Sequence, residues 1–452
     1  MRSWRDVLDV PAVDPVLVER LHDEVSPRIT REVARHAETA GVLSFEDERA
    51  LGRHVIQQTL AQWHSRAYQD GEEPLAADVE EALARAVHDQ IYALGPLQPC
   101  IDHPDVSDVH VSGHTRTFLT LRDGTKILGP PAGGSEGELV AMLGRAARRA
   151  GRSERRFDRE EPSLDLQLPD GSRLHALREV TGHPVVDIRC HKWELATLDQ
   201  LLKDDEVDRA IAAFLAAAVW ARRNIVISGG VAAGKTTLLR CLINEIPPEE
   251  RIITIEDSLE LGIDRFRDLH PDVETIEARE PNSEGRGRYT LAEGVRDSLR
   301  MGSGADGRVM VGEVRGYEVI PMLNVMSQGK DGSMCTVHSR SARNALSRLQ
   351  QYALEAPERL GYEVSAIKIA EAVHFVVHLD WDTTATPRRR VQSILEVAGA
   401  QDHQVTANEI WKPDTLGRAV PAARLRQETE RLLAGAGFAL RLLDKRDGWW
   451  QR

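Results

Sequence analysis

The sequence predicts an α/β protein: a doubly wound parallel sheet, preceded by a smaller α+β domain and a helical leader. Three observations predict it. From residue 206 to 400, strand-like apolar runs alternate with helix-like runs, the order that builds a parallel sheet with helices on both faces. Between residues 91 and 192, short segments alternate apolar and polar residues around turn signals, as half-buried strands do. Over residues 1–90 the apolar residues instead recur at helical spacing within dense charge, as in "VLVERLHDEVSPRITREVARHAE".

Taken in order, the leader pattern ends at Pro96 and Pro104, and "VSDVHVSG" with "TRTFLTLRDG" reads as a hairpin turning at Gly113–His114. A helix follows from about Ser135 to Arg149, with Leu139, Val140, Leu143, Ala146 and Ala147 on one face. Its far end, Arg145 to Arg159, is arginine-rich. An anion site and a solvated helix end both fit that run, and the interleaved acids favour the second. "SLDLQLPDGSRLHAL" and "HPVVDIRCH" read as further strands, the first pair turning at Pro169–Asp170–Gly171. Residues 193–205 form the expected linker. The larger domain, residues 206–400, runs helix 206–222, strand "NIVIS", a glycine loop and helix, strand "RIITIED", and a polar loop from Arg279 to Tyr289. Helix 291–301, strand "VMVGE" and helix 316–327 follow, then "HFVVHLD" and "RRRVQSILEV" as an antiparallel hairpin. Residues 401–452 are expected to form a polar, helical tail.

A chain of 452 residues exceeds what one core organises, so two or three domains are expected. The net charge of −13 argues against a protein that coats nucleic acid, because such surfaces cluster Lys and Arg to displace counterions. Cys100, Cys190, Cys241 and Cys335 lie far apart, which gives neither zinc spacing nor a disulfide framework and fits a reducing compartment. The first residues carry Asp6, Asp9 and Asp14 and no signal-peptide core. The most apolar run, Ala210 to Ala221, is far shorter than the ~20 residues of a membrane-crossing helix, and it reads as a buried helix.

The stretch "NIVISGGVAAGKTTLLRCLINEI" contains G-x-x-x-x-G-K-[ST] as Gly229, Gly234, Lys235 and Thr236. Such a loop, Gly229, Gly230, Val231, Ala232, Ala233, Gly234, Lys235, Thr236 and Thr237, closes backbone N–H groups around a β-phosphate. Lys235 reaches the β and γ oxygens, Thr236 ligates magnesium, and the following helix adds its N-terminal dipole. The expected cofactors are therefore a nucleoside triphosphate and Mg2+, and no guanine-reading NKxD motif occurs; the choice of ATP is implied by the family resemblance that follows. Hydrolysis also requires carboxylates near the γ-phosphate. "RIITIEDSLEL" presents Glu256, Asp257 and Glu260 at one strand end, and "RVMVGEVRG" presents Glu313, with Arg315 beyond it, at another.

In order, "GGVAAGKTT", "TIEDSLEL", the arginine-bearing loop leading to "SLRMG", "VMVGEVRG" and "GKDGSMCTVHS" resemble the Walker A, Asp box, arginine loop, Walker B and His box of the type II/type IV secretion and pilus-assembly ATPases. The resemblance spans about residues 90–400 and is closest to the CpaF-like, tight-adherence pilus branch. It implies a P-loop NTPase fold of the RecA-like kind, working as a homohexamer whose domain closure drives an inner-membrane pilus or secretion platform. It further implies a cytoplasmic protein peripheral to the inner face of the membrane, with no stable nucleic acid partner. Glu256 matches the glutamate that polarises the attacking water, and Glu313 the one that holds Mg2+ through water, roles that are open to exchange. His338 matches a γ-phosphate sensor. Arg173 and Arg189 match arginines of the N-terminal domain that reach the phosphates, with Arg279 and Arg288 as secondary candidates.

The chain departs from the family pattern in three places. Lys330 stands where a second His-box histidine is usual, a longer glycine-rich turn runs from Gly302 to Arg308, and Val231, Ala232 and Ala233 replace polar loop residues. The first two motivate an alternative, a nucleotide-binding scaffold with little hydrolysis. A DNA-transfer motor built on the same core is the other. One of the segments 1–90 and 401–452 is expected to dock a partner.

Overall fold

Two units organise the chain, residues 1–192 and 193–452. The computed structural model describes all residues except 1–3, 9, 72, 151–156, 192–194, 280, 282–284, 302–306, 382–388 and 445–452.

The first unit begins with α1 (Trp4–Leu8), α2 (Pro15–Ala40), α3 (Phe45–Asp70) and α4 (Ala77–Tyr92). Asp14 and Ser44 cap α2 and α3 by accepting the backbone N–H groups of Val16 and Asp47. Leu21, Val25, Val55, Ile56, Leu60, Leu83 and Val87 fill the space among these helices. Gly52 permits the close crossing of α3 and α4, since a Cβ there would lie 2.4 Å from the Tyr92 ring. After α5 (Gln98–Asp102) come β1 (Val106–Ser112), β2 (Arg116–Leu121), β3 (Lys126–Leu128), α6 (Glu136–Ala150), β4 (Ser163–Gln167), β5 (Arg173–Leu177) and β6 (Val185–Arg189). They make an antiparallel sheet of order β3-β2-β1-β6-β5-β4. One sheet face, with Val109, Val111, Leu174, Ala176, Val186 and Ile188, is buried with Leu139 and Leu143 of α6.

The second unit contains α7 (Leu198–Lys203), α8 (Arg209–Trp220), β7 (Ile225–Gly229), α9 (Lys235–Ile243), β8 (Arg251–Glu256), β9 (Val273–Glu277) and α10 (Leu291–Ser298). Then follow β10 (Gly307–Val314), α11 (Val319–Ser327), β11 (Met334–His338), α12 (Ala342–Glu355), α13 (Tyr362–Ala372), β12 (Phe375–Trp381) and β13 (Arg389–Gln401). The chain closes with β14 (Gln404–Pro413), β15 (Ala419–Pro421), α14 (Gln427–Gly435) and α15 (Arg441–Asp444). The sheet order is β15-β14-β13-β12-β7-β11-β10-β8-β9, parallel from β12 to β9 and antiparallel beyond β12. Alternation along β7 sends Ile225 and Ile227 into one core, with Phe214 of α8 and Leu238 of α9, and Val226 into the other, with Leu323 of α11 and Leu349 of α12. Phe214 packs edge-on against Phe375, with ring centroids 5.0 Å apart, and lies 4.7 Å from the Trp411 ring. Among the described residues, no helix is long and apolar enough to cross a membrane.

Residues 401–452 differ from the expected helical tail. Gln404–Pro413 is a strand that pairs antiparallel with β13, and only the segment from Gln427 onward is helical. The hairpin turns on Asp402 (φ 51°) and His403 (φ 63°), both left-handed as a two-residue turn of matching twist requires. The expected linker 193–205 is in part helical, as α7 capped by Thr197.

Candidate functional site

The loop Gly229–Thr237 joins the central strand β7 to α9. A Cβ at Gly229 would sit 2.7 Å from the Leu379 carbonyl oxygen, so the strand end admits only glycine there. Ala232 (φ 62°) and Gly234 (φ 91°) are left-handed. That conformation turns successive backbone N–H groups toward one concavity. Val231 is 80% exposed, whereas Ala233 is buried in the core beneath the loop. Thr236 and Thr237 stand in the first turn of α9, where N–H groups have no intrahelical acceptor.

Lys235 extends from that turn and is 7% exposed. Its Nζ donates to the Gly230 carbonyl at 2.8 Å and lies 3.1 Å from Nδ1 of His338. Burial holds its pKa below the usual lysine value, and Glu313 opposes that shift. His338 ends β11, in register with Gly229. Burial also lowers the His338 pKa, with Glu313 opposing and Lys235 reinforcing, so the neutral imidazole is favoured. With Nδ1 facing an ammonium, the ring proton belongs on Nε2, which lies 2.9 Å from Glu313 Oε1. Arg315 then bridges two strand ends, donating to Glu313 at 2.6 Å and to Asp257 at 3.2 Å. The result is a continuous line from Lys235 through His338, Glu313 and Arg315 to Asp257.

Glu256 ends β8 and is 3% exposed. Its Oε1 accepts the backbone N–H groups of Glu260 and Leu261, each at 2.9 Å, which fixes the carboxylate against its strand. Gly312 of β10 lies beside it, and a Cβ at Gly312 would be 3.0 Å from Glu256 Cγ. Thr336 of β11 donates to the Gly312 carbonyl at 2.6 Å and holds that strand in place. The motif reading did not find the Gly312 contact or the Arg315 bridge. Glycine after "VMV" was the available signal, but its meaning depends on which strand lies alongside.

Lys330 does not stand with these groups. It precedes β11 at the opposite, amino end of the sheet, 5% exposed, with its ammonium packed on Gly307 at the start of β10. Strand direction carries residue 330 away from residue 338, so the lysine in the place of a His-box histidine does not join these groups. The turn Gly302–Arg308 lies largely outside the described residues, as does the middle of the Arg145–Arg159 run. Arg149 at the described end of that run stacks on Tyr92 and Phe45, with its guanidinium carbon 5.3 and 5.7 Å from their centroids. That is a packing role. Arg279 donates to the Gly287 carbonyl at 2.6 Å within its own loop, and Arg288 lies in the same loop.

Arg173 and Arg189 belong to the first unit. They are direct cross-strand partners on β5 and β6, and Arg189 in turn faces Asp108 of β1, with Nε 3.4 Å from its carboxylate. One register step away, His110, Asp187, His175 and Asp165 form a second row across β1, β6, β5 and β4. His110 and Asp187 are 2.5 Å apart, and His175 and Asp165 are 2.7 Å apart. Sequence reasoning found the two arginines separately but not these rows, which depend on strand register.

A glycine loop between a parallel strand and a helix, with acids and a histidine at adjacent strand ends, defines a P-loop NTPase fold of the RecA-like kind. The sequence model of the family described as type II/IV secretion system protein matches residues 95–418, and the chain belongs to that family. A Mycobacterium tuberculosis protein (strain H37Rv), provisionally named as a conjugal transfer protein, is 30% identical over 344 residues, covering 74% of this chain and 93% of that one. The type IV secretion system protein VirB11 of Brucella suis is 28% identical, covering 66% of this chain and 88% of its own. Among solved structures, the VirB11 ATPase of Brucella suis in complex with sulphate aligns at 25% identity and TM-score 0.36, over 68% of this chain and 97% of that one.

Proposed function

We propose that this protein is a Mg2+-dependent, hexameric ATPase that couples hydrolysis to motion between its two units and so powers pilus assembly or protein secretion through an inner-membrane platform. It would work at the cytoplasmic face of that membrane, and the tight-adherence branch is the assignment within the family. The observation that carries the reading is the line Lys235–His338–Glu313–Arg315–Asp257 beside the glycine loop, since a bare phosphate-binding loop needs no such acids.

The loop N–H groups and Lys235 hold the phosphates. Thr236 and Glu313 fit a hydrated magnesium ion, because a hydroxyl at the first helical turn and a partly exposed carboxylate are the oxygen donors such an ion takes. That ion would supply charge neutralisation at the β and γ oxygens. Glu256, its Oε1 fixed by two backbone N–H groups, would orient and deprotonate an attacking water. His338 reports the state of Lys235 to Glu313. Arg173 and Arg189 supply cationic stabilisation of the transferring phosphoryl group.

The test is Mg2+-dependent ATP hydrolysis by purified protein at several concentrations, with mass determination in a non-hydrolysable analogue. Turnover that rises with ring formation and is lost in Lys235→Ala and Glu256→Gln is expected. Full hydrolysis by Lys235→Ala overturns the reading, and nucleotide binding without any turnover would favour a scaffold. A DNA-transfer motor is a second reading, favoured by relatives such as the conjugal transfer protein TrbB of Rhizobium radiobacter, 29% identical over 251 residues. It requires salt-dependent DNA affinity, which the net charge of −13 opposes.

A further inference from the structure

The γ-phosphate end of the site is fixed by which strands carry its chemistry. His338, Glu313 and Glu256 end β11, β10 and β8, all on one side of β7. A triphosphate laid across the start of α9 with its γ end toward them must run its nucleoside end toward the other side, over β12 and β13. Three side chains stand there. Trp381 ends β12 two residues beyond Leu379, which pairs with Gly229, and Arg389 opens β13 directly opposite Trp381. The Arg389 guanidinium lies over the Trp381 ring, 5.0 Å from its centroid. Its Cδ would be 3.4 Å from a Cβ on Gly234, and Glu206 Oε2 would be 4.0 Å from the same point. Glu206 is tied to this strand, its carbonyl accepting the Val391 N–H at 2.9 Å. All three side chains are partly exposed.

We propose that Trp381, Arg389 and Glu206 form the nucleoside end of the nucleotide site, with a purine base lying flat on the Arg389 guanidinium and the ribose hydroxyls donating to the Glu206 carboxylate. This rests on the nucleotide-binding reading above. A guanidinium already stacked on an indole offers a planar, pre-ordered second face to a base, so little further ordering is needed on binding. The backing indole also shields the stack from water. Glu206 beside Arg389 gives a carboxylate that accepts from hydroxyls and does not meet phosphate oxygens, because like charge excludes it from the phosphate path.

The experiment uses the full chain with Mg2+ and measures Kd for ATP, 2′,3′-dideoxy-ATP and inorganic tripolyphosphate by calorimetry. It compares the wild type with Arg389→Ala, Arg389→Lys and Glu206→Gln. Arg389→Ala and Arg389→Lys should each weaken ATP about tenfold and leave tripolyphosphate within about twofold, since lysine keeps the charge and loses the plane. Glu206→Gln should narrow the preference for ATP over the dideoxy nucleotide by about threefold. Equal losses for ATP and tripolyphosphate, or rescue by lysine, would assign Arg389 to the phosphates and overturn the proposal. Unchanged ATP affinity in both Arg389 variants would overturn it while leaving nucleotide binding intact. A wild type that binds neither ATP nor tripolyphosphate would remove the nucleotide reading itself and this inference with it.

Discussion

Replacing Gly312 by alanine tests whether Glu256 is the group that activates water. The new Cβ would lie 3.0 Å from Glu256 Cγ and 3.4 Å from its Oε1. The first is shorter than an ordinary carbon contact of ~3.5–4.0 Å, so one side must yield by a few tenths of an ångström. The strand cannot yield readily: Met310 and Val311 pair with β8 and with β11, and Thr336 holds the Gly312 carbonyl at 2.6 Å. The Glu256 side chain is the part that moves, against its two backbone hydrogen bonds of 2.9 Å. A misplacement of ~1 Å in a catalytic group costs up to ~10²-fold in rate, so a shift of a few tenths of an ångström should lower kcat by about 3- to 10-fold. The loop Gly229–Thr237 is untouched, so ATP affinity should stay within about threefold. Single-turnover hydrolysis with a separate binding titration checks both numbers, and a melting curve checks that the fold survives. Unchanged kcat in a folded Gly312→Ala protein would refute Glu256 as the water-activating carboxylate.

The remaining predictions concern stability, pH and charge. Arg308 is fully buried and paired with Glu250 at 2.8 and 2.5 Å, and Arg222 is a second partner of that carboxylate, so Arg308→Leu should cost about 2 kcal/mol, less than the loss of an only partner, measurable by urea unfolding. Asp208 caps α8 by accepting the Ile211 N–H at 2.7 Å, and burial raises its pKa to about 6. The folded state therefore binds the proton more tightly than the unfolded state, and the stability this gives is lost as pH rises from about 4 through 6. Asp208→Asn keeps an acceptor at the cap and should stabilise by at most about 3 kcal/mol at pH 7.5, with no gain below pH 4 in paired unfolding curves. His374 and His378 behave oppositely: burial lowers each to about 4, so their contribution is present above pH 6.5 and lost as pH falls toward 4. A wild-type midpoint that does not fall over that range would contradict it. Arg173→Ala with Arg189→Ala should lower kcat by about 10²- to 10³-fold at saturating ATP while the protein still binds nucleotide, and unimpaired turnover would exclude both arginines from the reaction.

What was legible in the sequence is what is local in it. The glycine loop occupies nine consecutive residues between an apolar strand and a helix, so its chemistry and its surroundings could be read together. Glu256 and Glu313 were legible because ligands in such sheets gather at the carboxyl ends of strands. The position of Lys330 was not legible because a motif gives order without direction: the five residues of β11, at ~3.3 Å each, separate it from His338. The β13–β14 hairpin was missed because its turn is Asp402–His403 rather than an Asn-Gly pair. The Arg173–Arg189 pairing and the His110–Asp187–His175–Asp165 row were beyond reach for another reason. A shift of one residue in any strand would have dispersed them to opposite faces, and nothing local specifies that register.

Charge explains why the second unit by itself is an incomplete engine under the proposed function. At the ends of β7, β8, β10 and β11 stand Lys235 and Arg315 against Glu256, Asp257, Glu260 and Glu313, with His338 favoured neutral. Arg315 is already committed, its guanidinium divided between Glu313 and Asp257, and those hydrogen bonds raise its pKa further. Only Lys235 therefore remains to meet phosphate from among these groups, and it must give up the Gly230 carbonyl and His338 to do so. A magnesium-bound triphosphate adds net negative charge to a set that is already net negative, and charge spreads over the phosphoryl oxygens as the bond breaks. Under the proposed function, cations outside this set have to balance it at that moment. We propose Arg173 and Arg189 as those cations. Two guanidinium groups side by side on adjacent strands repel each other, and Asp108 offsets that for Arg189 from a third strand. Under the proposed function, an arriving phosphoryl group would relieve that repulsion.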